Sequence, residues 1–199
     1  MPIVEVVTFP GSDTFIKDQA VSRAVLERLA RAEGFISTHN GLQFEDGRTG
    51  YLIVVWESYE HHKRLMEHED YGGLVQSLIS STSGNLEMQH IDFDGDSTLA
   101  LTSPATEFVT FKAKPNSEEK LVSAFKRLAG ELIKASSCHC VVFGESREHK
   151  GTFMTAIGWD SVEAHQKTVE DEALKAIIDD LYAAADLEIR HTSLVQFSA

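Results

Sequence analysis

Nine histidines stand in 199 residues. Histidine is the side chain whose ordinary pKa best suits proton transfer near neutral pH. Three pairs recur at almost constant spacing: His62 with His165, His90 with His191, and His39 with His139. His62 follows Trp56 by six residues and His165 follows Trp159 by six, and these two are the only tryptophans in the chain. A set of this kind suits a site in which an imidazole removes a proton from an acidic C–H or O–H beside an aromatic wall. His62, His90, His165 and His191 are therefore candidate catalytic groups, and His39, Trp56, His139 and Trp159 candidate substrate contacts. Each also has a structural alternative. A histidine one turn into a helix can simply face solvent. A histidine on an apolar strand face, such as His191 with Leu187 and Ile189 or His90 with Leu86 and Met88, can be a core residue satisfied by one hydrogen bond. The tryptophans can simply fill core.

Other patterns carry less. Cys138-His139-Cys140 looks like a metal-ligand run, but neighbours on a strand point to opposite faces, so the three cannot surround one ion. Two free thiols are expected there, since a disulfide within one regular strand is geometrically poor. No metal site is expected. Glu57, Glu60, Asp160 and Glu163 fit first-turn positions favoured by the helix dipole. No phosphate loop, nucleotide fingerprint or nucleophile elbow is present.

The elements that would hold these residues come twice. Val54-Val55-Trp56-Glu57-Ser58-Tyr59-Glu60-His61-His62 recurs as Ala156-Ile157-Gly158-Trp159-Asp160-Ser161-Val162-Glu163-Ala164-His165. Val7-Thr8-Phe9 matches Val109-Thr110-Phe111, and Leu86 to His90 matches Leu187 to His191. A structural unit of about half the chain has been duplicated. Each copy reads β-α-β-β-α-β. In the first, strands are expected at Ile3–Phe9, Phe35–Phe44, Tyr51–Trp56 and Leu86–Phe93, and helices at Ile16–Ala32, from Tyr59 after a Ser58 cap, and at Tyr71–Ser80. In the second, strands are expected at Glu107–Phe111, His139–Phe143, Thr152–Trp159 and Leu187–Phe197. Its helices carry Leu121 to Leu132 behind an Asn116/Glu119 capping box, start after Ser161, and cover Leu174–Ala185. The expected repeats are residues 1–94 and 106–199, with 95–105 as linker. Leu52-Ile53-Val54-Val55-Trp56 is apolar on both faces, so a cover is needed on each side of the sheet, and the sheet of the other copy is the obvious second one.

Bulk properties exclude some partners. Net charge is −13, and residues 1–103 hold 7 Lys/Arg against 16 Asp/Glu. Nucleic acid and anionic membrane surfaces are poor partners for such a chain. No apolar run reaches the roughly 20 residues of a membrane span. The N-terminus lacks a signal-peptide pattern and two cysteines make no disulfide framework, so a cytoplasmic protein is expected.

The phrase strand–Trp–Glu/Asp–Ser–x–Glu–x–His, followed by a short helix and a last strand, resembles the dimeric α/β-barrel superfamily, most nearly the antibiotic-biosynthesis-monooxygenase type. The stress-responsive and polyketide-cyclase types are neighbours. The resemblance covers each half once. It implies an α+β fold: two tandem ferredoxin-like repeats packed sheet to sheet as an intramolecular pseudo-dimer, with further pairing of two chains left open. It also implies a cofactor-independent enzyme acting by His acid/base chemistry on a small apolar, phenolic or carbonyl-bearing, polyketide-like molecule. Monooxygenation comes first; cyclase or lyase chemistry and a non-catalytic stress or ligand-binding role are the alternatives. His68-Glu69-Asp70-Tyr71-Gly72-Gly73 resembles the loop where relatives place a His-containing motif. His68 and Tyr71 therefore join the catalytic candidates, with Tyr71 holding an oxygen of the substrate. The second copy has Asp171-Glu172-Ala173-Leu174 there. Haem-degrading relatives resemble an Asn-Trp-His arrangement with Asn on the first strand; Ile3–Phe9 has no Asn, so no cofactor is expected.

Overall fold

A computed structural model describes residues 2–197; positions 1, 198 and 199 of the expected repeats lie outside them. By compactness the described chain divides into two units, residues 2–91 with 194–197, and residues 92–193.

The first unit is built on strands β1 (Ile3–Pro10), β2 (Phe35–Gln43), β3 (Thr49–Trp56) and β4 (Glu87–Phe93, its last two residues grouping with the second unit). They pair antiparallel in the order β4-β1-β3-β2. Between β1 and β2 run α1 (Asp13–Lys17), a 3-10 turn (Gln19–Ser22) and α2 (Arg23–Leu29); between β3 and β4 run α3 (Tyr59–Glu67) and α4 (Tyr71–Gln76). Asp46 makes the β2–β3 turn by accepting from the Arg48 and Thr49 N–H groups, and Gly47 takes the left-handed φ of 62° that the turn requires. Leu52, Ile53 and Val54 are all buried, so β3 is covered on both faces as its unbroken apolar run implies. Phe197 returns to this unit and donates its N–H to the Thr38 carbonyl.

The second unit begins with a short helix, α5 (Thr98–Leu101), followed by β5 (Ala105–Ala113), α6 (Glu118–Leu132), β6 (Cys138–Ser146), β7 (Thr152–Trp159), α7 (Val162–Val169), α8 (Glu172–Ala184) and β8 (Ala185–Gln196). Strand order within it is β8-β5-β7-β6, again antiparallel. Its core centres on Phe111, Phe125, Phe143 and Phe153, with Phe125 and Phe143 stacked at 4.2 Å. No helix among the described residues is long and apolar enough to cross a membrane.

Two local expectations are corrected. The helix expected over Ile16–Ala32 is three pieces, because Asp18 adopts an extended backbone (φ −150°) and caps the next turn through the Ala20 N–H. Asn116 does not cap α6: it takes a left-handed φ of 59°, and Ser117 occupies the cap position. Within residues 95–105, Ala100 and Leu101 are buried in a helical turn that packs on β6 and β7.

Candidate functional site

Each unit contains the same four side chains in one buried cluster. In the first they are Glu5, Trp56, His62 and His90; in the second, Glu107, Trp159, His165 and His191. The backbone explains why they meet. Glu5 lies directly opposite His90 across the β1–β4 pair, and Glu107 directly opposite His191 across β5–β8. Cross-strand partners share a face with their Cβ atoms about 5 Å apart. Trp56 pairs with Ile3, two residues before Glu5, and Trp159 pairs with Ala105, two before Glu107, so each indole falls on the same face. The helix after each tryptophan then lays its histidine over that face: His62 on α3, His165 on α7.

The contacts are close. Trp56 donates its indole N–H to Glu5 Oε2 at 2.8 Å, and Trp159 donates to Glu107 Oε2 at 2.7 Å. His62 Nδ1 lies 2.7 Å from His90 Nε2, and His165 Nδ1 lies 2.9 Å from His191 Nε2. The carboxylates approach differently. Glu5 Oε2 faces His62 Nδ1 at 3.5 Å, the same ring atom that faces His90. Glu107 Oε1 faces His165 Nε2 at 3.6 Å, the ring atom opposite the one facing His191. Ring stacking differs too: His62 lies parallel to Trp56 (4°, 4.9 Å), whereas His165 is tilted 41° to Trp159 at 5.1 Å.

Burial without full hydrogen-bonding compensation penalises the charged form of an imidazole. Desolvation, with the neighbouring His191 second, lowers His165 to about 4, so this ring is neutral at neutral pH. Tyr71 at the start of α4 sits 6.3 Å from the His62 ring, and burial with the Glu5 charge pushes its phenol up to about 12. Tyr59 sets its ring edge-on to His90 at 5.0 Å.

The second cluster opens onto a cavity. About 170 Å³ lies between the unit's sheet and α6, α7 and α8, partly open to solvent. Its apolar wall includes Phe111, Phe125, Leu128, Leu181, Leu187 and Ile189, while Glu107, Thr155, His165 and Tyr182 are the polar residues on it.

The other candidates lie elsewhere. His68 is an exposed residue after α3, and its Nδ1 accepts the Asp70 N–H. His39 is buried on β2; its Nε2 meets Ser37 Oγ at 3.3 Å, and Nδ1 has no hydrogen-bond partner among the described residues. Its burial lowers it to about 4. His139 sits at a bulge in β6, between Ser103 Oγ (3.0 Å) and Asp160 Oδ1 (2.8 Å), and not on the cavity wall. Cys138 and Cys140 are free thiols. Sequence reasoning missed Glu5 and Glu107, although the signal was present: each is the only carboxylate in its copy's first strand, 102 residues apart like Val7 and Val109.

No family model matches the chain, and no curated protein matches it. Solved structures do. A protein of Fusobacterium nucleatum, provisionally named a monooxygenase, aligns over 100% of this chain and 98% of its own with TM-score 0.74 at 10% identity. A protein of Lactobacillus acidophilus with the same provisional name covers 99% of this chain and 96% of its own, with TM-score 0.68 and 11% identity. An anthrone oxidase-like protein covers 100% of this chain and 93% of its own, with TM-score 0.74 and 17% identity. These full-length likenesses show the fold: α+β, with two tandem ferredoxin-like repeats.

Proposed function

We propose that the chain is a cofactor-independent, monooxygenase-type enzyme for a small phenolic or carbonyl-activated molecule, working from the cavity of the second unit. The observation that carries this reading is a partly open, almost wholly apolar cavity that ends on a neutral imidazole backed by a buried carboxylate. The names of the full-length structural relatives, two provisional monooxygenases and an anthrone oxidase-like protein, point to the same reaction class.

The apolar wall orients the ring of the substrate and excludes water. His165 takes an acidic O–H proton, or a proton from an activated CH₂ group, onto Nε2. Glu107 Oε1, 3.6 Å away, stabilises the imidazolium that forms. At its other end the ring can pass its Nδ1 proton to His191 Nε2, 2.9 Å away. The electron-rich anion left in the cavity gives one electron to O₂, and the radical pair joins to form a C–O bond. His165 returns the proton to the distal peroxide oxygen. For a CH₂ substrate, loss of water from the hydroperoxide leaves C=O, so one oxygen atom enters the product and the other leaves as water. All electrons come from the substrate.

The cavity volume limits what fits. A cavity of about 150 Å³ holds a benzene-sized ligand, so 170 Å³ suits one substituted ring unless α8 moves aside. The same number favours a second reading, a non-catalytic stress or binding protein whose pocket is largely packed shut, because it lies below the few hundred Å³ usual for ligand sites. Oxygen uptake and ¹⁸O incorporation, with a monocyclic hydroquinone and with anthrone as probes, separate the two. Turnover that drops about 10²–10⁴-fold in His165→Ala, with the melting temperature held, supports the enzyme. Probe binding seen by tryptophan fluorescence without any enzyme-dependent oxygen uptake supports the binding protein.

A further inference from the structure

The two clusters share residue types but not geometry. In the second unit His165 is a bridge, touching His191 with one ring nitrogen and Glu107 with the other. In the first unit a single atom, His62 Nδ1, faces both His90 Nε2 (2.7 Å) and Glu5 Oε2 (3.5 Å). Three ligand atoms there, two imidazole nitrogens and a carboxylate oxygen, lie within 4.8 Å of one another. We infer that Glu5, His62 and His90 form a binding site for one divalent transition cation of the zinc class.

The spacing suits this ion. Zinc bonds of about 2.0–2.2 Å in tetrahedral geometry place neighbouring ligand atoms roughly 3.4 Å apart, and the two distances at His62 Nδ1 fall on either side of that value. Small rotations of the two imidazoles would seat the ion, which replaces the proton shared between the rings. The donor set, two imidazoles and one carboxylate, is of the kind that selects zinc, iron(II), cobalt or nickel over calcium or magnesium.

The surroundings already orient these ligands. The Trp56 indole N–H fixes the Glu5 carboxylate at 2.8 Å, parallel stacking of Trp56 holds the plane of His62, and the edge of Tyr59 holds His90. Such outer contacts are typical support for metal ligands. All three ligands are buried, so an ion bound there keeps its full attraction for the carboxylate and exchanges slowly. Glu107, His165 and His191 in the second unit also bring three ligand atoms within 4.8 Å of one another, but His165 meets His191 and Glu107 through different ring nitrogens, so the convergence on a single ring atom belongs to the first unit. This site does not depend on the activity proposed for the second unit.

The test is cation stoichiometry on the full-length protein, produced with zinc in the medium, and separately with cobalt as a spectroscopic probe. One equivalent per chain is expected by elemental analysis after extensive dialysis. A raised melting temperature is expected too, and in the cobalt protein the visible absorption of a four- or five-coordinate site. His90→Gln and His62→Gln remove the equivalent, while His191→Gln keeps it. If either variant fails to fold, Glu5→Gln, with its altered cobalt spectrum, takes its place. A wild-type chain that carries no ion from either medium overturns the inference without reference to any variant. So does an equivalent that persists in folded His90→Gln.

Discussion

Trp159 and Glu107 stand 52 residues apart in the chain, yet the indole N–H of one rests 2.7 Å from a carboxylate oxygen of the other, with both side chains buried. The tryptophan therefore serves as a fixed donor to a charge that has few alternatives in an apolar interior. Hydrogen bonds to charged groups contribute about 1.5–3 kcal/mol, and an orphaned buried acceptor costs the desolvation of that group. Trp159→Phe keeps an aromatic ring and removes the donor. The expected loss is about 2–4 kcal/mol, combining the missing bond with the smaller ring. Urea unfolding checks it, and a change under 1 kcal/mol would show that Glu107 is satisfied without the indole.

The acid limb of the reaction should be unusually low. A base must be unprotonated to accept a proton, and His165 is held at about 4 by burial first and by His191 second. kcat/KM for the oxygen-consuming reaction should stay level from pH 8 to below 6 and fall only as pH approaches 4, since that profile reports the free enzyme. Replacing the neighbour, His191→Leu, removes the lowering influence, so the limb should move toward higher pH. A limb near 6.5 in the wild type would contradict the neutral, desolvated ring described here.

Stability should follow pH through a different histidine. His39 titrates near 6.5 when unfolded and near 4 when folded, because of burial. Between those values the unfolded chain binds more protons, so stability rises with pH across that window and is lost as pH falls from about 6.5 toward 4. At 1.36 kcal/mol per pKa unit, the full effect is at most about 3 kcal/mol. His39→Leu should reduce the pH dependence of the urea midpoint between pH 4.5 and 6.5 by roughly half, because His165, also lowered to about 4, keeps its share. An equally steep slope in the variant would assign the effect to other groups.

The size of the cavity is itself adjustable. Phe125 lines it and stacks on Phe143 at 4.2 Å. Phe125→Ala should cost about 3–5 kcal/mol of stability while admitting a two-ring probe such as a dihydroxynaphthalene. Filling the space with Leu128→Phe should instead weaken binding of the monocyclic probe at least tenfold. Titration of tryptophan fluorescence measures both. Equal affinities across the three proteins would place the ligand elsewhere.

Much of this arrangement was legible beforehand, for identifiable reasons. The duplicated Trp-to-His spacing survives in sequence because each tryptophan, helix and histidine is placed by local geometry: a strand end, a cap and one helical turn. The alternation that put His90 with Met88 and His191 with Ile189 is likewise local. What escaped depended on pairing between strands. The partnership of Glu5 with His90 appears only once the β1–β4 register is known. His68 drew notice through its loop, but its side chain lies in solvent, where nothing in the spacing of residues could reveal it. The break at Asp18 is hidden because its side-chain hydrogen bond to the Ala20 N–H competes with helix continuation without disturbing the apolar periodicity, and the left-handed φ of Asn116 leaves no mark in the capping-box pattern.

Carrying both copies in one polypeptide has an evolutionary consequence. In an assembly of two identical chains, each mutation strikes every copy of a pocket at once, and symmetry forbids the copies from diverging. Here a change at residue 165 leaves residue 62 as it was. The turned imidazole of one cluster and the convergent one of the other are what such freedom allows: one copy can be conserved for a first task while its twin drifts toward a second.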